Sequence, residues 1–430
     1  MLTPEKQTLW SSISAWKTHL VFWLGAIFVG LATVALTLGS EQASALFKQF
    51  HRDYLLYSFI FTPLSLTLLA WITLRFFPGS ERSGVPQVKA ALHLSIKQTD
   101  KPLIGVRVIF GKLLLSMGGI LSGASVGLGG PAIHIGASLM AYFGRFANFA
   151  PHYLEKGLIL AGSSAGFAAI FSAPLAGIVF AIEEMGRSLE EKTSGLILTA
   201  VIFAGATALI IQGQYVYFSS DSASLPWGAA WLIIPICGVL TGFIGGLFSL
   251  ILLKGGRILE SISLLSPLKI AFIGGMIIAL LNYFTGGSTA GTGYEETKAY
   301  LMDPGSMPME YPFMRILANL ATFFVGIPAG IFVPSLSVGA GLGANLAEVL
   351  PLAPVSVVIL LGMTGYFAGM LQSPLTSFVI IMEMTNSHDL LLPMMATAFI
   401  ANGTSKLICP TALYQGLTQP YLKNNLNEQK

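Results

Sequence analysis

Residues 127–131 read Gly-Leu-Gly-Gly-Pro, and the apolar run Ala-Ile-His-Ile-Gly follows at residues 132–136. Glycines followed by a proline predict a loop that turns into a helix, because a proline in the first helical turn has no N–H to lose. The free N–H groups at a helix start carry partial positive charge and favour an anion. In an apolar chain such a polar loop is costly unless it lines a cavity, so the stretch indicates a binding site.

Two further stretches have the same form. Residues 82–86 read Arg-Ser-Gly-Val-Pro, and residues 330–334 read Gly-Ile-Phe-Val-Pro. Three helix starts aimed at one point would form a dry anion site from backbone dipoles. The alternative is that each stretch is a tight turn between membrane helices, where glycine and proline are frequent.

The composition predicts a membrane protein. The 430 residues are 54% hydrophobic and 10% charged, whereas soluble proteins carry about 25% charged residues. A net charge of +3 gives no indication of nucleic-acid binding. The two cysteines, Cys237 and Cys409, lie in or beside apolar runs and predict no disulfide framework. Residues 1–17 lack a cleavable signal pattern and are expected to be cytoplasmic, as is a tail at 418–430.

Apolar stretches that approach or exceed the length needed to cross a bilayer recur throughout residues 18–417, the expected transmembrane domain. They are His19–Gly39, Leu55–Leu74, Leu103–Val126, Gly157–Ile182, Gly195–Ile211, Trp227–Leu253, Ile270–Phe284, Pro312–Leu350, Val355–Met382 and Leu390–Ile408. Many contain Gly, Pro or Ser, which is typical of discontinuous helices. The polar stretch between Tyr283 and Pro312 is expected to lie outside the bilayer.

An internal repeat relates the two halves, about 18–213 and 227–417. Gly162 and Glu183 recur 200 positions later as Gly362 and Glu383, and residues 131–139 resemble residues 334–342. The first copy ends in basic residues and the second does not, which favours opposite topologies and a site at the seam between the halves. Lysines and arginines cluster between Arg75 and Lys112, so the Ser83 loop is expected on the cytoplasmic side.

These motifs, taken in order, resemble the CLC family of chloride channels and proton/chloride exchangers. The resemblance covers about Arg75 to Leu417. Its motifs are residues 83–86, 127–131, 173–177, 182–185, 330–334, 383–385 and 413–414. It implies an all-α polytopic membrane protein, built as an inverted repeat of two halves with many tilted and discontinuous helices. It also implies a homodimer in a prokaryotic inner or plasma membrane, with one anion pathway per subunit. The cytoplasmic CBS domains of some members are not expected, since only residues 418–430 follow.

The resemblance assigns anion-binding roles to matching positions. Ser83 and Tyr414 would give hydroxyl groups to a central chloride, and Ile331 and Phe332 would give it backbone N–H groups. Neutral donors suit chloride, because full positive charges would hold it too tightly to leave. Family members that favour nitrate tend to have proline in place of Ser83, so chloride is the expected substrate, with bromide carried comparably.

Further positions match an outer anion site. The amides near Leu128, Gly129 and Gly130 would face that site. Lys112 matches the lysine that precedes the Gly-Leu-Gly-Gly-Pro loop and would add positive potential without touching the anion.

One position departs from the exchangers of the family. They carry a gating glutamate where this chain has Gly129, and usually an arginine where it has Leu128. Glu184 matches their inner proton-transfer glutamate and is retained, but pairing with Arg187 or with solvent is an equally open role. His134, the titratable residue nearest the gate position, is expected to pack, and Glu383 to make a buried structural hydrogen bond.

The sequence therefore predicts passive, uncoupled chloride transport, because Gly129 can neither block the pore nor carry a proton. A proton/chloride exchanger that uses another acid is the first alternative, and a transport-dead membrane scaffold is the second. No nucleotide loop, metal spacing or paired catalytic motif is present, so neither an enzyme nor a cofactor is expected.

Overall fold

The computed structural model describes residues 13–94, 103–146, 154–186, 191–213, 216–218, 224–262 and 266–427. Within these ranges the chain is helical and forms no β-strands, only three isolated bridges between loops. The predicted all-α membrane fold is therefore confirmed.

The helices form two series that follow the same order. The first half contains α1 (Ile13–Asp53), α2 (Leu55–Phe76), α3 (Val85–His93), α4 (Val106–Leu121), α5 (Gly129–Phe143), α6 (Leu154–Phe171), α7 (Pro174–Phe180) and α8 (Glu191–Gln212). The second half contains α9 (Ile233–Ser261), α10 (Pro267–Phe284), α11 (Tyr294–Met302), α12 (Tyr311–Val325), α13 (Phe332–Val349), α14 (Val355–Leu371), α15 (Pro374–Thr385) and α16 (Leu391–Ile408). A last helix, α17 (Leu413–Asn427), follows.

Each half starts with two long apolar helices. Four segments in the described ranges are long and apolar enough to cross a membrane, namely Trp16–Asp53, Leu55–Phe76, Ala229–Leu259 and Pro267–Phe284. They include α1 and α2 and their counterparts α9 and α10. Several of the later helices are shorter apolar segments, of 10–17 residues. A helix that ends within the membrane leaves polar backbone groups that are tolerated only where they are buried or line a cavity.

Each half breaks one long apolar stretch at the same place. Ser172 (φ 50°) separates α6 from α7, and Gln372 (φ 61°) separates α14 from α15. A left-handed conformation at a residue other than glycine costs about 1–3 kcal/mol. The next residue is not helical in either copy, with φ −129° and ψ 76° at Ala173 and φ −122° and ψ 77° at Ser373, in keeping with the disfavoured helical conformation before a proline. Both halves therefore have a strained backbone conformation just before an apolar helix, α7 in the first half and α15 in the second.

Glycines bring the inner helices together at equivalent points. A Cβ on Gly162 would lie 2.7 Å from the carbonyl carbon of Gly136, where α5 meets α6. A Cβ on Gly339 would lie 2.7 Å from the carbonyl oxygen of Gly362, where α13 meets α14. Small residues at such crossings let backbones touch, which is how helices pack in the absence of a hydrophobic driving force between them.

Two sequence expectations need correction. The polar stretch after Tyr283 is not a simple loop, because it contains the nine-residue helix α11 with Tyr300 only 1% exposed. The stretch Pro312–Leu350 is not one span but is divided between α12 and α13. The residues expected to form a cytoplasmic tail from position 418 belong in part to α17, which continues to Asn427, and Thr418 is buried.

Candidate functional site: an anion pore between the two halves

Backbone hydrogen bonds join the three proline loops at the centre of the protein. The N–H of Gly127 donates to the carbonyl of Gly330 (2.8 Å), and the N–H of Gly330 donates back to Gly127 (2.9 Å). The loop at residues 82–86 joins the other two through the backbone of Arg82. The N–H of Arg82 donates to the carbonyl of Ile327 (3.0 Å), and the carbonyl of Arg82 accepts from the N–H of Ala329 (3.1 Å). The three stretches therefore meet at one junction and are not three independent turns.

Three helices begin at this junction. Gly84 takes the left-handed conformation (φ 99°) before α3, and α5 and α13 begin at Gly129 and Phe332. The helices start before their prolines, so Gly129 is itself the first helical residue of α5. The first N–H groups of a helix have no partner within it. Those of α5 and α13 are thus available to an anion at the junction.

Ser83 and Tyr414 meet beside these helix starts. Their hydroxyl oxygens lie 3.4 Å apart, and the two residues are buried. Ser83 packs so closely on α5 that a Cβ on Gly130 would overlap the Ser83 hydroxyl and lie 2.6 Å from its carbonyl oxygen. The structure therefore places two hydroxyl donors together at the junction, although they lie 331 positions apart in the sequence.

Aromatic rings occupy the space beside Gly129. A Cβ at this position would lie 2.7 Å from Cζ of Phe171 and 2.8 Å from Cδ2 of Phe332. The Phe332 ring also lies 5.9 Å from the Tyr414 ring, measured between centroids. Sequence reasoning did not find Phe171. Its signal is its place at the end of α6, directly before the strained break at Ser172.

Lys112 contacts the junction through the backbone of Arg82. It is fully buried on α4, and its Nζ donates to the carbonyl oxygen of Arg82 at 2.5 Å. The ammonium group therefore holds the residue next to Ser83 through the backbone, at the junction of the three loops.

Comparison with known proteins identifies the family. The sequence profile of a family described as voltage gated chloride channel matches residues 64–406. This chain belongs to that family, the CLC proteins. A curated relative, the H(+)/Cl(-) exchange transporter ClcA of Klebsiella pneumoniae, is 27% identical over 392 residues, covering 86% of this chain and 80% of its own. The ClcA of Yersinia pestis is 26% identical, covering 93% and 88%.

Solved structures of CLC proteins share the fold. A slow cyanobacterial Cl-/H+ antiporter superposes with a TM-score of 0.80 at 24% identity, covering 94% of this chain and 98% of its own. A CLC-type fluoride/proton antiporter superposes with a TM-score of 0.76 at 20% identity, covering 94% and 99%. The inverted repeat with tilted and discontinuous helices is thus the architecture of this CLC protein.

Glu184 is held by partners that the sequence did not reveal. Its carboxylate accepts from Nζ of Lys89 at 2.6 Å and from the hydroxyl of Ser373 at 2.5 Å. The side chains of Lys89 and Glu184 are 15% and 5% exposed, so this ion pair is largely shielded from water. Arg187, the partner considered from sequence, lies outside the described residues. Lys89 comes from α3, the helix that Ser83 precedes, so the ion pair ties Glu184 to the pore.

The remaining candidates are structural in this CLC protein. His134 is fully buried with Nε2 2.6 Å from the carbonyl oxygen of Leu103, in keeping with the expected packing role. Glu383 accepts two backbone hydrogen bonds, from Leu175 and Ala176. Among the described residues, no group of three or more His, Cys, Asp or Glu side chains is arranged to hold a metal ion.

Proposed function

We propose that this CLC protein conducts chloride passively, without obligatory counter-transport of protons. The observation that carries the proposal is Gly129. This residue has no side chain to titrate, and a Cβ there would lie 2.7 Å from the Phe171 ring and 2.8 Å from the Phe332 ring, so these rings would have to shift to admit a side chain. The position therefore lacks the acid that a gate carboxylate would supply, and its neighbouring rings crowd the place where that carboxylate would begin.

The chloride site in this proposal consists of neutral donors. Ser83 and Tyr414 give their hydroxyl groups, and Ile331 and Phe332 give backbone N–H groups at the start of α13. Gly129 and Gly130 give N–H groups to an outer site at the start of α5. These donors replace water around the ion without binding it too strongly for release. The buried ammonium of Lys112 favours the anion without direct contact.

The second half of an exchange mechanism is also altered. A proton-transfer carboxyl must gain and lose a proton, yet Glu184 faces the ammonium of Lys89 at 2.6 Å. Protonation would leave that ammonium without its counter-charge in a largely dehydrated place, which is costly. We therefore assign Glu184 a structural role at the cytoplasmic end of the pore.

Proton/chloride exchange is the second candidate, and the comparisons with relatives favour it over uncoupled conduction. The curated relatives carry the name H(+)/Cl(-) exchange transporter, and they match most of this chain. Exchange would need an acid other than residue 129 to face the pore. Glu184 is the carboxylate closest to that requirement, and Lys89 would then have to release it.

The deciding experiment measures chloride and proton movement together. Purified protein is reconstituted in sealed liposomes, the voltage is clamped with potassium and valinomycin, and chloride efflux and external pH are recorded. We expect chloride efflux without uphill proton movement, and a rate that changes little between acidic and neutral pH. Proton movement at a fixed ratio to chloride would overturn the uncoupled proposal and establish exchange. No flux of either ion would establish the scaffold alternative.

We also propose a homodimer with one pore per subunit, in the inner or plasma membrane of a prokaryote. The proposal rests on membership of the CLC family, and the exposed apolar side chains of Leu175, Ile202 and Leu375 are compatible with contact to lipid or to a partner subunit. Mixed dimers with one blocked subunit should keep about half of the flux. Loss of all flux in such dimers would contradict separate pores.

We propose no enzymatic activity and no cofactor.

A further inference from the structure

Tyr217 lies on the segment that joins the two halves, a few residues after α8, the last helix of the first half. Tyr414 lies a few residues after α16, the helix that corresponds to α8 in the second half. The two tyrosines therefore occupy comparable places in the repeat. Because the halves are inverted, Tyr217 and Tyr414 should approach the pore from opposite sides of the membrane.

A continuous row of rings connects these tyrosines. The ring centroids of Tyr217 and Phe171 are 6.0 Å apart, those of Phe171 and Phe332 are 6.2 Å apart, and those of Phe332 and Tyr414 are 5.9 Å apart. We call these four residues the aromatic ladder. Its two middle rings are those that fill the space beside Gly129. Tyr217 thus ends the ladder at the side of the pore opposite Tyr414.

The position of Tyr217 is fixed by its surroundings. The Tyr294 hydroxyl donates to the carbonyl oxygen of Tyr217 at 3.1 Å, and the two rings meet edge to face at 5.1 Å. Its neighbour Phe218 is buried, stacks on Tyr294 at 5.2 Å and donates its N–H to Met384 at 2.8 Å. These contacts hold Tyr217 against the start of α11 and the end of α15.

The starts of α11 and α3 have the same local structure. Gly293 (φ 84°) precedes α11 in the left-handed conformation, as Gly84 (φ 99°) precedes α3. A buried cation holds the backbone in both places. Arg315 donates to Gly291 at 2.9 Å on one side, as Lys112 donates to Arg82 on the other. Tyr217 therefore contacts α11 where Tyr414 contacts the residues before α3.

The hydroxyl group of Tyr217 is free to bind a ligand. The residue is partly exposed, and its hydroxyl has no hydrogen-bond partner among the residues that the structure describes. The acidic groups Glu41 and Glu295 lie on the same side of the protein and disfavour an anion there. A neutral hydrogen-bond donor at the Tyr217 end of the aromatic ladder would offset that repulsion where the anion enters.

We propose that Tyr217 is a further anion-binding residue, at the mouth of the pore beyond the outer site formed by Gly129 and Gly130. Its hydroxyl donates a hydrogen bond to chloride that enters from the side opposite Ser83, and its ring keeps Phe171 packed beside Gly129. This inference rests on the proposed chloride conduction. The competing explanation is that Tyr217 only anchors the segment between the halves.

The test compares Tyr217→Phe with the unmodified protein in right-side-out and inverted membrane vesicles under voltage clamp. The substitution keeps the ring and removes only the hydroxyl. We expect the chloride concentration for half-maximal flux to rise about threefold to tenfold when chloride is added from the Tyr217 side. The value from the opposite side should stay unchanged. Tyr57→Phe is the control, since Tyr57 is 70% exposed on α2.

A second variant tests the ring. In a Phe171→Cys background, Tyr217→Ala should allow a membrane-impermeant thiol reagent to modify residue 171 from the Tyr217 side, whereas Tyr217→Phe should not. The native cysteines do not interfere because both are buried. An unchanged chloride dependence in Tyr217→Phe, or an equal change from both sides, would overturn the inference. Absence of chloride flux in the unmodified protein would instead overturn the proposed function.

Discussion

Glu183 and Glu383 each cap the start of a helix in the opposite half. The Glu383 carboxylate accepts from the N–H groups of Leu175 and Ala176 at the start of α7, at 3.0 and 2.9 Å. The Glu183 carboxylate accepts from Leu375 and Thr376 at the start of α15, at 3.0 and 2.6 Å. A carboxylate at a helix N-terminus satisfies free N–H groups and complements the helix dipole. The reciprocal caps therefore join the halves close to the strained breaks at Ser172 and Gln372.

Removal of either cap should destabilise the protein. Glu183→Gln or Glu383→Gln weakens two charge-assisted hydrogen bonds, so we expect each to lower the free energy of unfolding by about 1–3 kcal/mol. The measurement is thermal unfolding of the purified protein in detergent. Glu310→Gln is the control, because Glu310 is exposed and its side chain makes no hydrogen bond in the described part of the chain. Equal melting temperatures for all three variants would show that the caps contribute nothing.

The Lys89–Glu184 ion pair should behave as a structural unit. Lys89→Met leaves a buried carboxylate without its cation, and we expect a loss of about 3–5 kcal/mol of unfolding free energy. Lys89→Met combined with Glu184→Gln should recover most of that loss, because no charge is left unpaired.

Chloride flux separates this structural role from proton transfer. Glu184→Gln alone should leave the rate and pH dependence of chloride flux in liposomes unchanged. A loss of coupled proton movement in Glu184→Gln would assign that carboxyl to proton transfer instead.

A glutamate at position 129 should fit only after the neighbouring ring is removed. Gly129→Glu places new atoms against Phe171 and Phe332, so we expect poor folding or little flux from this variant. Gly129→Glu combined with Phe171→Ala provides the missing volume. Its flux should be slow at neutral pH and rise in acid, since protonation of the new carboxyl frees the outer site. Flux of the double variant that does not depend on pH would contradict this account. Phe171→Ala alone serves as its control.

The two pore hydroxyls should act on the same ion. Ser83→Ala and Tyr414→Phe each remove one donor, and a hydrogen bond to a charged group contributes about 1.5–3 kcal/mol. We expect each variant to weaken chloride binding about tenfold or more, measured by calorimetry in detergent. The double variant should show a non-additive loss, because the hydroxyl oxygens are only 3.4 Å apart. Additive losses would place the hydroxyls at separate sites.

The local sequence determined where helices start and stop. The Gly and Pro residues at 82–86, 127–131 and 330–334 mark backbone conformations that few other residues adopt, so the three helix starts were predictable from sequence. The 200-residue repeat likewise predicted the two series of helices, since apolar periodicity and helix breakers are local properties. Ser83, Gly129 and Tyr414 could be named as candidate pore residues because they lie in motifs.

Only the tertiary structure decided which side chains meet. Lys89 and Glu184 are 95 positions apart, and Glu183 caps a helix that begins more than 190 positions later. Nothing in the local sequence specifies such partners, because they depend on how the inverted halves pack against each other. The same packing brings Phe171 beside Gly129 and Tyr217 onto Phe171. The sequence by itself determined that position 129 carries no side chain, and the fold determined that aromatic rings lie against it.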